Sequence, residues 1–371
     1  MIKILKKYIY IFSFSSIIFS QEKDFDYLLQ EAVSDLYNYK FELSKIKLDS
    51  IYNADPLNPI TPFLSIVVDW LYNQTEYGYE ESYVAIINGV DKTIPIYEKL
   101  IEKYPENAQY YLFLGSTYGI KARVSLANKE WFDVLSSSYR GLRYIRKTNY
   151  IDPSIYDYYL PIGLIEYFLC ISSFPLQVGG KMMGFESDCE IGISSLEIAL
   201  EKSEFSWIEA SNILTYIYLY FERDYNNALR TISPLVDSFP GHPFFTFLKA
   251  ESLAKLNRWD EVDLMMPRLV SLSQNGNFLQ KNECSLKLKY IESLRLFNKN
   301  EYENVITKTD WIINNYHMEF DWLLGLTYMI RGETFDKLDK QDLALKEYRS
   351  IIKLNNYFPE VNEAKKISSN I

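Results

Sequence analysis

Histidine and cysteine, the side chains that most often act as nucleophiles, proton carriers or metal ligands, are scarce in this chain. Its 371 residues include two histidines and three cysteines. The histidines are His242 and His317, and neither has a ligand-type neighbour at the spacing that zinc sites or catalytic triads use. We therefore predict that both histidines are structural turn residues. We also predict no catalytic residue, no metal site and no cofactor.

Paired carboxylates leave open a second kind of chemistry, general acid–base hydrolysis. Glu80 and Glu81 are adjacent, and Glu186 lies close to Asp188. Hydrolysis of a glycosidic bond needs two carboxyl groups in one pocket, roughly 5–9 Å apart, whereas charged pairs usually lie on solvated faces. An envelope enzyme acting on cell-wall or glycan material is thus one alternative. A carrier of an apolar ligand is another, and it would need an enclosed aromatic cavity.

Cys170, Cys189 and Cys284 are too few and too scattered to form the disulfide framework of a small secreted domain. The favoured interpretation is that they are buried free thiols. An oxidising compartment would permit a bond between Cys170 and Cys189 across the intervening loop, and the sequence leaves open whether these two residues pair.

Glycines interrupt the helical pattern between Cys170 and Cys189. The segment 174–187 contains Gly179, Gly180 and Gly184, and a glycine-rich loop that ends at a helix N-terminus can bind phosphate. A Walker-type loop requires a different order of residues and a preceding strand, whereas the segment before 174 is patterned as a helix. We therefore predict a structural connector loop over 174–187, with Ser187 or Asp188 capping the next helix.

The first twenty residues have the pattern of an export signal. Three lysines precede an apolar run from Tyr8 to Phe19, and the small Ser20 follows it. A basic head, a short apolar middle and a small final residue are what the export machinery recognises. We predict a signal peptide over 1–20 with cleavage after Ser20, and an uncleaved anchor is the alternative. The protein would then be periplasmic, outer-membrane-associated or secreted.

Charge disfavours nucleic acid as a partner. The chain has 39 Lys and Arg against 49 Asp and Glu, a formal net charge of −10 at pH 7. Removal of 1–20 takes away three lysines and no acid, which changes −10 to −13, and phosphate backbones bind through Lys and Arg. The most apolar remaining stretch, 158–174, contains Glu166, whose charge is costly in lipid. We predict a buried helix there and no transmembrane segment.

A small residue followed twelve positions later by proline recurs along the chain. Ala228 and Pro240 form one such pair, and Tyr225 precedes Ala228 by three positions. A small side chain lets two helices cross closely, an aromatic residue three positions earlier lies on the same face, and proline cannot continue the second helix. We therefore predict helix–turn–helix units. The other pairs are Ser44 with Pro56, Thr93 with Pro105, and Gly141 with Pro153.

These spacings resemble the tetratricopeptide repeat, a helix–turn–helix unit of 34 residues. Ala228 and Val262 are 34 residues apart, and the Leu-Gly-x-x-Tyr pattern of the first helix stands at 114–118 and 324–328. The resemblance is to an exported bacterial type with divergent repeats. It implies an all-α fold, an α-solenoid of stacked antiparallel helix pairs.

The resemblance also implies where a partner would bind, because such solenoids usually bind on the concave face that the first helices line. We expect repeats with long helices over 21–173 and tetratricopeptide-like repeats over 188–371. The family's groove positions fall on Tyr220, Phe244, Phe247, Glu251, Lys287, Tyr290 and Phe297. These residues would contact a protein or peptide, unless an added helix covers them as core.

We accordingly predict a non-catalytic scaffold for protein–protein interaction, with a possible peripheral association with an envelope complex.

Overall fold

The computed structural model describes residues 25–128, 130–354 and 358–369, and in these ranges the chain forms helices joined by turns, with no strand. The predicted all-α class is confirmed. Two compact units are present. Unit 1 comprises the described residues of Met1–Gln74 together with Glu80–Lys147, and unit 2 comprises Thr75–Tyr79 together with the described residues of Thr148–Ile371. The predicted signal peptide lies outside the described residues.

Unit 1 is built from long helices that pack as consecutive pairs. The longest is 25 residues, compared with 14 residues for a typical second helix of unit 2. The helices are α1 (25–37), α2 (Phe41–Ala54), α3 (Thr61–Glu76), α4 (Tyr79–Lys103), α5 (Ala108–Ala127) and α6 (Trp131–Ile151), of which α6 continues into unit 2.

Unit 2 continues the pairing with shorter helices. A 3-10 turn, Tyr156–Tyr158, leads into the first of them, and a π-helical turn, Ile217–Phe221, extends the fourth. The helices are α7 (Tyr159–Cys170), α8 (Phe174–Met182), α9 (Cys189–Lys202), α10 (Trp207–Tyr216), α11 (Tyr225–Ser238), α12 (Phe245–Lys255), α13 (Trp259–Gln274), α14 (Phe278–Asn298), α15 (Tyr302–Asn314), α16 (Trp322–Lys337), α17 (Gln341–Leu354) and α18 (Pro359–Ser369).

Small side chains lie where neighbouring helices cross, as the spacing predicts. The hydroxyl of Ser44 donates a hydrogen bond of 2.7 Å to the carbonyl oxygen of Ala32 in the preceding helix. A Cβ added at Gly141 would lie 2.9 Å from the carbonyl oxygen of Gly115 on α5, so a larger residue would force the helices apart. Burial is common to the four predicted crossing points, Ser44, Thr93, Gly141 and Ala228, and they are confirmed.

The four predicted prolines each follow the end of a second helix. α2, α4, α6 and α11 end at Ala54, Lys103, Ile151 and Ser238, and Pro56, Pro105, Pro153 and Pro240 come two residues later in each case. Proline has no backbone N–H to continue the helical ladder. The spacing rule therefore located the ends of these helices correctly.

α7 and α9 of unit 2 approach closely because glycine lies on both sides of their contact. A Cβ added at Gly163 would lie 2.8 Å from the carbonyl oxygen of Gly192. This approach brings the facing ends of the two helices together, and Cys170 and Cys189 form a disulfide with Cα atoms 5.4 Å apart. The interpretation of all three cysteines as free thiols is wrong for this pair. It is correct for Cys284, which is free and buried.

The predicted connector loop at 174–187 contains a helix. Residues Phe174–Met182 form α8, and only 183–187 lack helical structure. A Cβ added at Gly180 would lie 2.4 Å from Cδ1 of Leu169, so α8 packs on α7 through a residue without a side chain. Glycine disfavours helix by about 1 kcal/mol relative to alanine. Packing against α7 overrides this preference, and the sequence pattern gives no sign of that.

The turn between α8 and α9 is held by the buried carboxylate of Glu166. Its two oxygens accept hydrogen bonds from the backbone nitrogens of Glu186 and Ser187, at 3.1 and 2.8 Å. Asp188 caps α9, as predicted, because its side chain accepts hydrogen bonds from two backbone N–H groups of the first turn. A carboxylate of the chain itself therefore takes the hydrogen bonds that a phosphate would need at this glycine-bearing turn.

The apolar stretch 158–174 contains α7, in which Gly163, Glu166 and Tyr167 are buried. Across the described ranges, no helix combines the length and apolar character that crossing a membrane requires.

Candidate functional site

Aromatic and ionisable side chains from several repeats of unit 2 converge on one largely buried cluster. The π-helical turn after α10 and the helices α12, α14 and α16 come from successive repeats, and each contributes side chains to this cluster. π-helical turns are rare and are frequent at functional sites. We call the group the inner cluster, and it comprises Tyr216, Tyr220, Glu251, Lys255, Lys287, Tyr290 and Trp322.

Tyr220, on the π-helical turn, is the point where the cluster joins. Its hydroxyl donates a hydrogen bond of 2.8 Å to Oε2 of Glu251 on α12. Its ring lies 4.6 Å, centroid to centroid, from that of Trp322 on α16, and the ring of Tyr216 lies 6.1 Å from Trp322 in an edge-to-face arrangement. Residues about a hundred positions apart in sequence are thus in contact in the inner cluster.

Glu251 is the acid of the cluster, and its pKa is strongly raised. It is buried, and burial raises the pKa of its carboxyl group to about 7 against the opposing effects of Lys255, Tyr220 and Lys287. Its Oε2 accepts the Tyr220 hydrogen bond, whereas its Oε1 has no hydrogen-bond partner among the described residues. A carboxyl group of this kind gains or loses a proton near neutral pH, and its second oxygen is available to a donor.

Lys255 lies one helical turn after Glu251 on α12. Burial lowers the pKa of its ammonium group, and Glu251 partly offsets that effect. Its Nζ donates a hydrogen bond of 3.2 Å to the hydroxyl of Tyr290 on α14. Burial also raises the pKa of Tyr290 well above its usual range, so the phenol stays protonated. α12 and α14 are therefore joined through polar atoms as well as through their apolar core.

Lys287 lies on α14 with its ammonium group enclosed by an acid and two aromatic rings. Nζ lies 2.6 Å from Oε1 of Glu283, one turn earlier on the same helix. It also lies 4.3 Å from the ring centroid of Phe244 and 5.8 Å from that of Trp322. Burial lowers the pKa of this lysine but the charge of Glu283 raises it, and the net result is a pKa above the usual value. Lys287 is therefore a fully charged, buried cation.

Further acids flank the inner cluster at the end of the chain. Burial raises the pKa of Glu360 on α18, and loss of hydration also raises that of Glu333 on α16, although the residue as a whole is exposed. Arg223, which follows the π-helical turn, donates hydrogen bonds to Glu360 at 3.1 Å and to Glu363 at 2.9 Å. α18 thus packs on the last repeat, and its two acids form ion pairs with Arg223, which follows the π-helical turn.

The seven predicted groove residues have different positions. Five are buried, with exposures of 5% or less: Tyr220, Phe247, Glu251, Lys287 and Tyr290. Phe247 belongs to the hydrophobic core shared by α12, α13 and α14. Phe244 and Phe297 are half-buried; Phe244 lies beneath Lys287, whereas Phe297 packs against Tyr302 at the start of α15. The structure thus brings Tyr220, Glu251, Lys287 and Tyr290 into one cluster and places Phe247 and Phe297 apart from it.

The sequence reasoning missed three residues of the inner cluster, namely Tyr216, Lys255 and Trp322, and the flanking acids Glu333 and Glu360. Glu333 carries a signal that could have been used: it precedes the small residue Ala344 by eleven positions, just as Glu251 precedes Val262. Lys255 follows Glu251 by four positions, the spacing of facing residues on a helix. For Trp322 the repeat spacing offers no comparable signal.

The carboxylate pairs and His242, considered in the sequence analysis as chemical groups, either lie on the surface or have structural roles. Glu80, Glu81, Glu186 and Asp188 are exposed, and Asp188 is the cap of α9. Nδ1 of His242 accepts hydrogen bonds from the backbone nitrogens of Phe244 and Phe245. Burial holds the pKa of His242 well below its usual range, so the ring is neutral and can accept. The prediction that His242 is a turn residue is confirmed.

In comparisons with known proteins, similarity was found among solved structures and not among family models or curated proteins. No family model matches the chain, and no curated protein matches it. Among solved structures, the chain is similar to that titled "Human IFIT1 dimer with PPP-AAAA", at 11% sequence identity and a TM-score of 0.42, over 92% of this chain and 83% of that one. A similarity of this size says nothing about what the present chain binds.

Proposed function

We propose that the chain is an exported, non-catalytic helical-repeat scaffold that binds a protein partner in the bacterial cell envelope. The observation that supports this function is the inner cluster itself. Stacking of helix pairs needs only apolar contacts, whereas burial of charged groups costs several kcal/mol per ion before pairing. A cluster that retains two lysines and one glutamate with shifted pKa values, together with an unpartnered carboxyl oxygen, has the character of a recognition site.

Export is supported by the covalent structure of unit 2. The bond between Cys170 and Cys189 joins the ends of α7 and α9, and such structural disulfides form and persist in oxidising compartments such as the bacterial periplasm. The basic and apolar pattern of the first twenty residues points to the same compartment.

The partner would bind at the accessible side of the predicted groove. Phe244 and Phe297 keep partial exposure, and aromatic side chains at such places give a large contact area for little loss of conformational freedom. Tyr220, Glu251, Lys287 and Tyr290, being buried, would fix the shape of the face. The cation of Lys287 lies 4.3 Å from the ring centroid of Phe244 and would hold that ring in position for the partner.

The test has two stages. Cross-linking of the tagged full chain in envelope fractions of the source cells, followed by mass spectrometry, would identify a partner, and titration of the purified pair would give its Kd. We expect the double variant F244A/F297A to weaken binding by about tenfold or more, the usual size of an aromatic anchor. The control is Leu264→Ala, at a side chain 83% exposed on α13. Equal affinity for both variants would count against this face.

A further inference from the structure

The short helix α8 exposes apolar side chains to an unusual extent. Phe174 is 76% exposed, Met182 is 87% exposed, and Leu176 and Val178 are 40% and 41% exposed. Pro175 is exposed as well. We call Phe174, Leu176, Val178 and Met182 the apolar tip. Single exposed apolar residues need no explanation, but four of them on one nine-residue helix mark a candidate site of contact with another protein or with a membrane.

The directions in which these side chains point help to distinguish a protein groove from a lipid phase as the surface that the apolar tip contacts. Successive residues of an α-helix are about 100° apart, so Leu176 points roughly opposite to Phe174, whereas Val178 and Met182 lie on the side of Phe174. A groove on a protein covers one stripe of a bound helix. Here apolar side chains on both sides of α8 are exposed together, and the helix is held to the end of α7 by Gly180, which packs on Leu169, and by Gln177, which donates hydrogen bonds to the carbonyl oxygens of Cys170 and Ser172. A lipid phase that surrounds the helix can contact side chains on both of its sides, whereas a groove on a protein contacts only one side.

The charged residues in and around α8 also favour a lipid phase. Between Glu166 and Glu186 the chain has no acidic residue, and its single charged side chain is Lys181, which is exposed on α8. The chain as a whole carries a net charge of −10. An acid-free apolar segment with one lysine is what the interfacial layer of a bilayer accepts, because the long lysine side chain can keep its ammonium group among the head groups.

A rigid frame holds the tip in place. The Cys170–Cys189 disulfide closes the base of the segment, Gly180 packs against Leu169, and the carboxylate of Glu166 holds the backbone after α8 at Glu186 and Ser187. A pre-organised tip loses little conformational freedom when it enters another phase, which favours binding.

We propose that the apolar tip inserts into the interfacial layer of a lipid bilayer and anchors the protein to the membrane surface from one side. Insertion would bury Phe174, Leu176, Val178 and Met182 among acyl chains and place Lys181 at head-group level. The inference is independent of protein binding at the predicted groove of unit 2, and either function can hold without the other.

The negative net charge sets the lipid preference. Electrostatic attraction to anionic lipids drives many peripheral proteins, but here the overall charge opposes it and Lys181 alone favours it. Insertion would therefore depend on apolar burial. We expect binding to vesicles of phosphatidylcholine alone, and weaker binding at low salt when one third of the lipid is phosphatidylglycerol, with recovery as salt screens the repulsion.

A position-specific probe tests the insertion in the full, oxidised chain. In the F174W variant, the fluorescence added relative to wild type should be quenched at least twofold by phosphatidylcholine vesicles with brominated acyl chains. The matched control is F278W, at a phenylalanine that is 77% exposed on α14; its added fluorescence should not be quenched. Quenching that is no stronger at 174 than at 278 would overturn the proposal. The N-terminal apolar run is common to both variants and cannot produce a difference between them.

A second substitution tests the contribution of the tip as a unit. Adding Met182→Ser to the F174W variant should weaken vesicle binding, measured by the same quenching, by about tenfold, as expected for loss of a buried apolar side chain. Adding Leu264→Ser, at an equally exposed position outside the tip, should leave it unchanged. Equal effects of the two substitutions would contradict insertion. Shielding of the F174W indole from aqueous acrylamide by an added envelope protein, without quenching by brominated lipid, would assign the tip to a protein partner and also overturn the proposal.

Discussion

The hydroxyl of Tyr220 donates a hydrogen bond of 2.8 Å to the carboxylate of Glu251 across two repeats of unit 2. Tyr220 is 2% exposed and Glu251 is 4% exposed, so this bond forms away from water. The phenol of Tyr220 has a pKa well above its usual range because of burial and remains the donor. Since the pKa of Glu251 is raised to about 7, a change in its protonation state changes the charge of the inner cluster near neutral pH.

Replacement of Glu251 by Gln should remove a pH dependence of stability. The folded-state pKa of about 7 is raised above the usual 4.5, so the folded protein holds a proton that the unfolded chain releases between these values. Stability should then fall as pH rises from 4.5 to 7, by about 1.4 kcal/mol per pH unit and by roughly 3 kcal/mol in total. Urea unfolding at several pH values from 5 to 8 would measure it.

The comparison of wild type with E251Q tests this carboxyl group. Glu333 and Glu360 also have raised pKa values and are present in both proteins, so the difference reports on Glu251 together with the groups whose charge acts on it, chiefly Lys255. The free energy of unfolding of E251Q relative to wild type should increase as pH rises from 5 to 8. A constant difference over that range would show that Glu251 is ionised throughout.

Replacement of Lys287 by Met should destabilise unit 2 because it leaves Glu283 without its cation. The two charged atoms are 2.6 Å apart, and their side chains are only 3% and 13% exposed. Removal of one partner of a buried ion pair typically costs about 3–5 kcal/mol. In the double variant E283Q/K287M the unpaired charge is gone, and the loss should be smaller than in K287M. Urea unfolding of the single and double variants would measure the coupling, and purely additive losses would contradict a direct pair.

The features that the sequence could predict are those set by local pattern. Ser44, Gly141 and Ala228 are small because a neighbouring helix touches them, and each is followed by a proline that ends its helix. Both requirements act within one repeat, so spacing along the chain is enough to predict them. Of the seven groove positions carried over from the repeat, four lie in the inner cluster, and their role in binding a partner stays a prediction.

The features that the sequence did not predict depend on contacts between helices that are not set by spacing within one repeat. Trp322 on α16 contacts Tyr216 and Tyr220, which lie about a hundred positions earlier in the chain, and a rule for spacing within one repeat cannot predict a contact between distant repeats. The pairing of Cys170 with Cys189 follows from the glycine contact between α7 and α9. The helix α8 forms despite two adjacent glycines because α7 supports it. Each is a tertiary effect that overrides local preference.

Substitution of Gly192 by Ala should destabilise the contact of α7 with α9. An added Cβ would lie 2.7 Å from the backbone nitrogen of Tyr167, and backbone cannot move aside as a flexible side chain can. We expect a loss of about 1–3 kcal/mol in the free energy of unfolding. The control is Gly179→Ala in α8, where an added Cβ meets nothing within 4 Å. That variant should gain up to about 1 kcal/mol from helix propensity; a loss in both variants would contradict the packing argument.

Reduction of the Cys170–Cys189 disulfide should lower the stability of unit 2. The bond closes a loop with a sequence separation of 19, and cross-linking a loop of this length restricts the unfolded chain by an amount worth about 3 kcal/mol. Urea unfolding with and without a reductant should show the midpoint falling in reductant, and the C170A/C189A variant should match the reduced wild type. The variant also serves as the control, because Cys284 is already a free thiol and its midpoint should not respond to reductant. A wild-type midpoint that stays constant while mass spectrometry shows full reduction would mean that the glycine contact of α7 with α9, and not the covalent bond, restrains these helices.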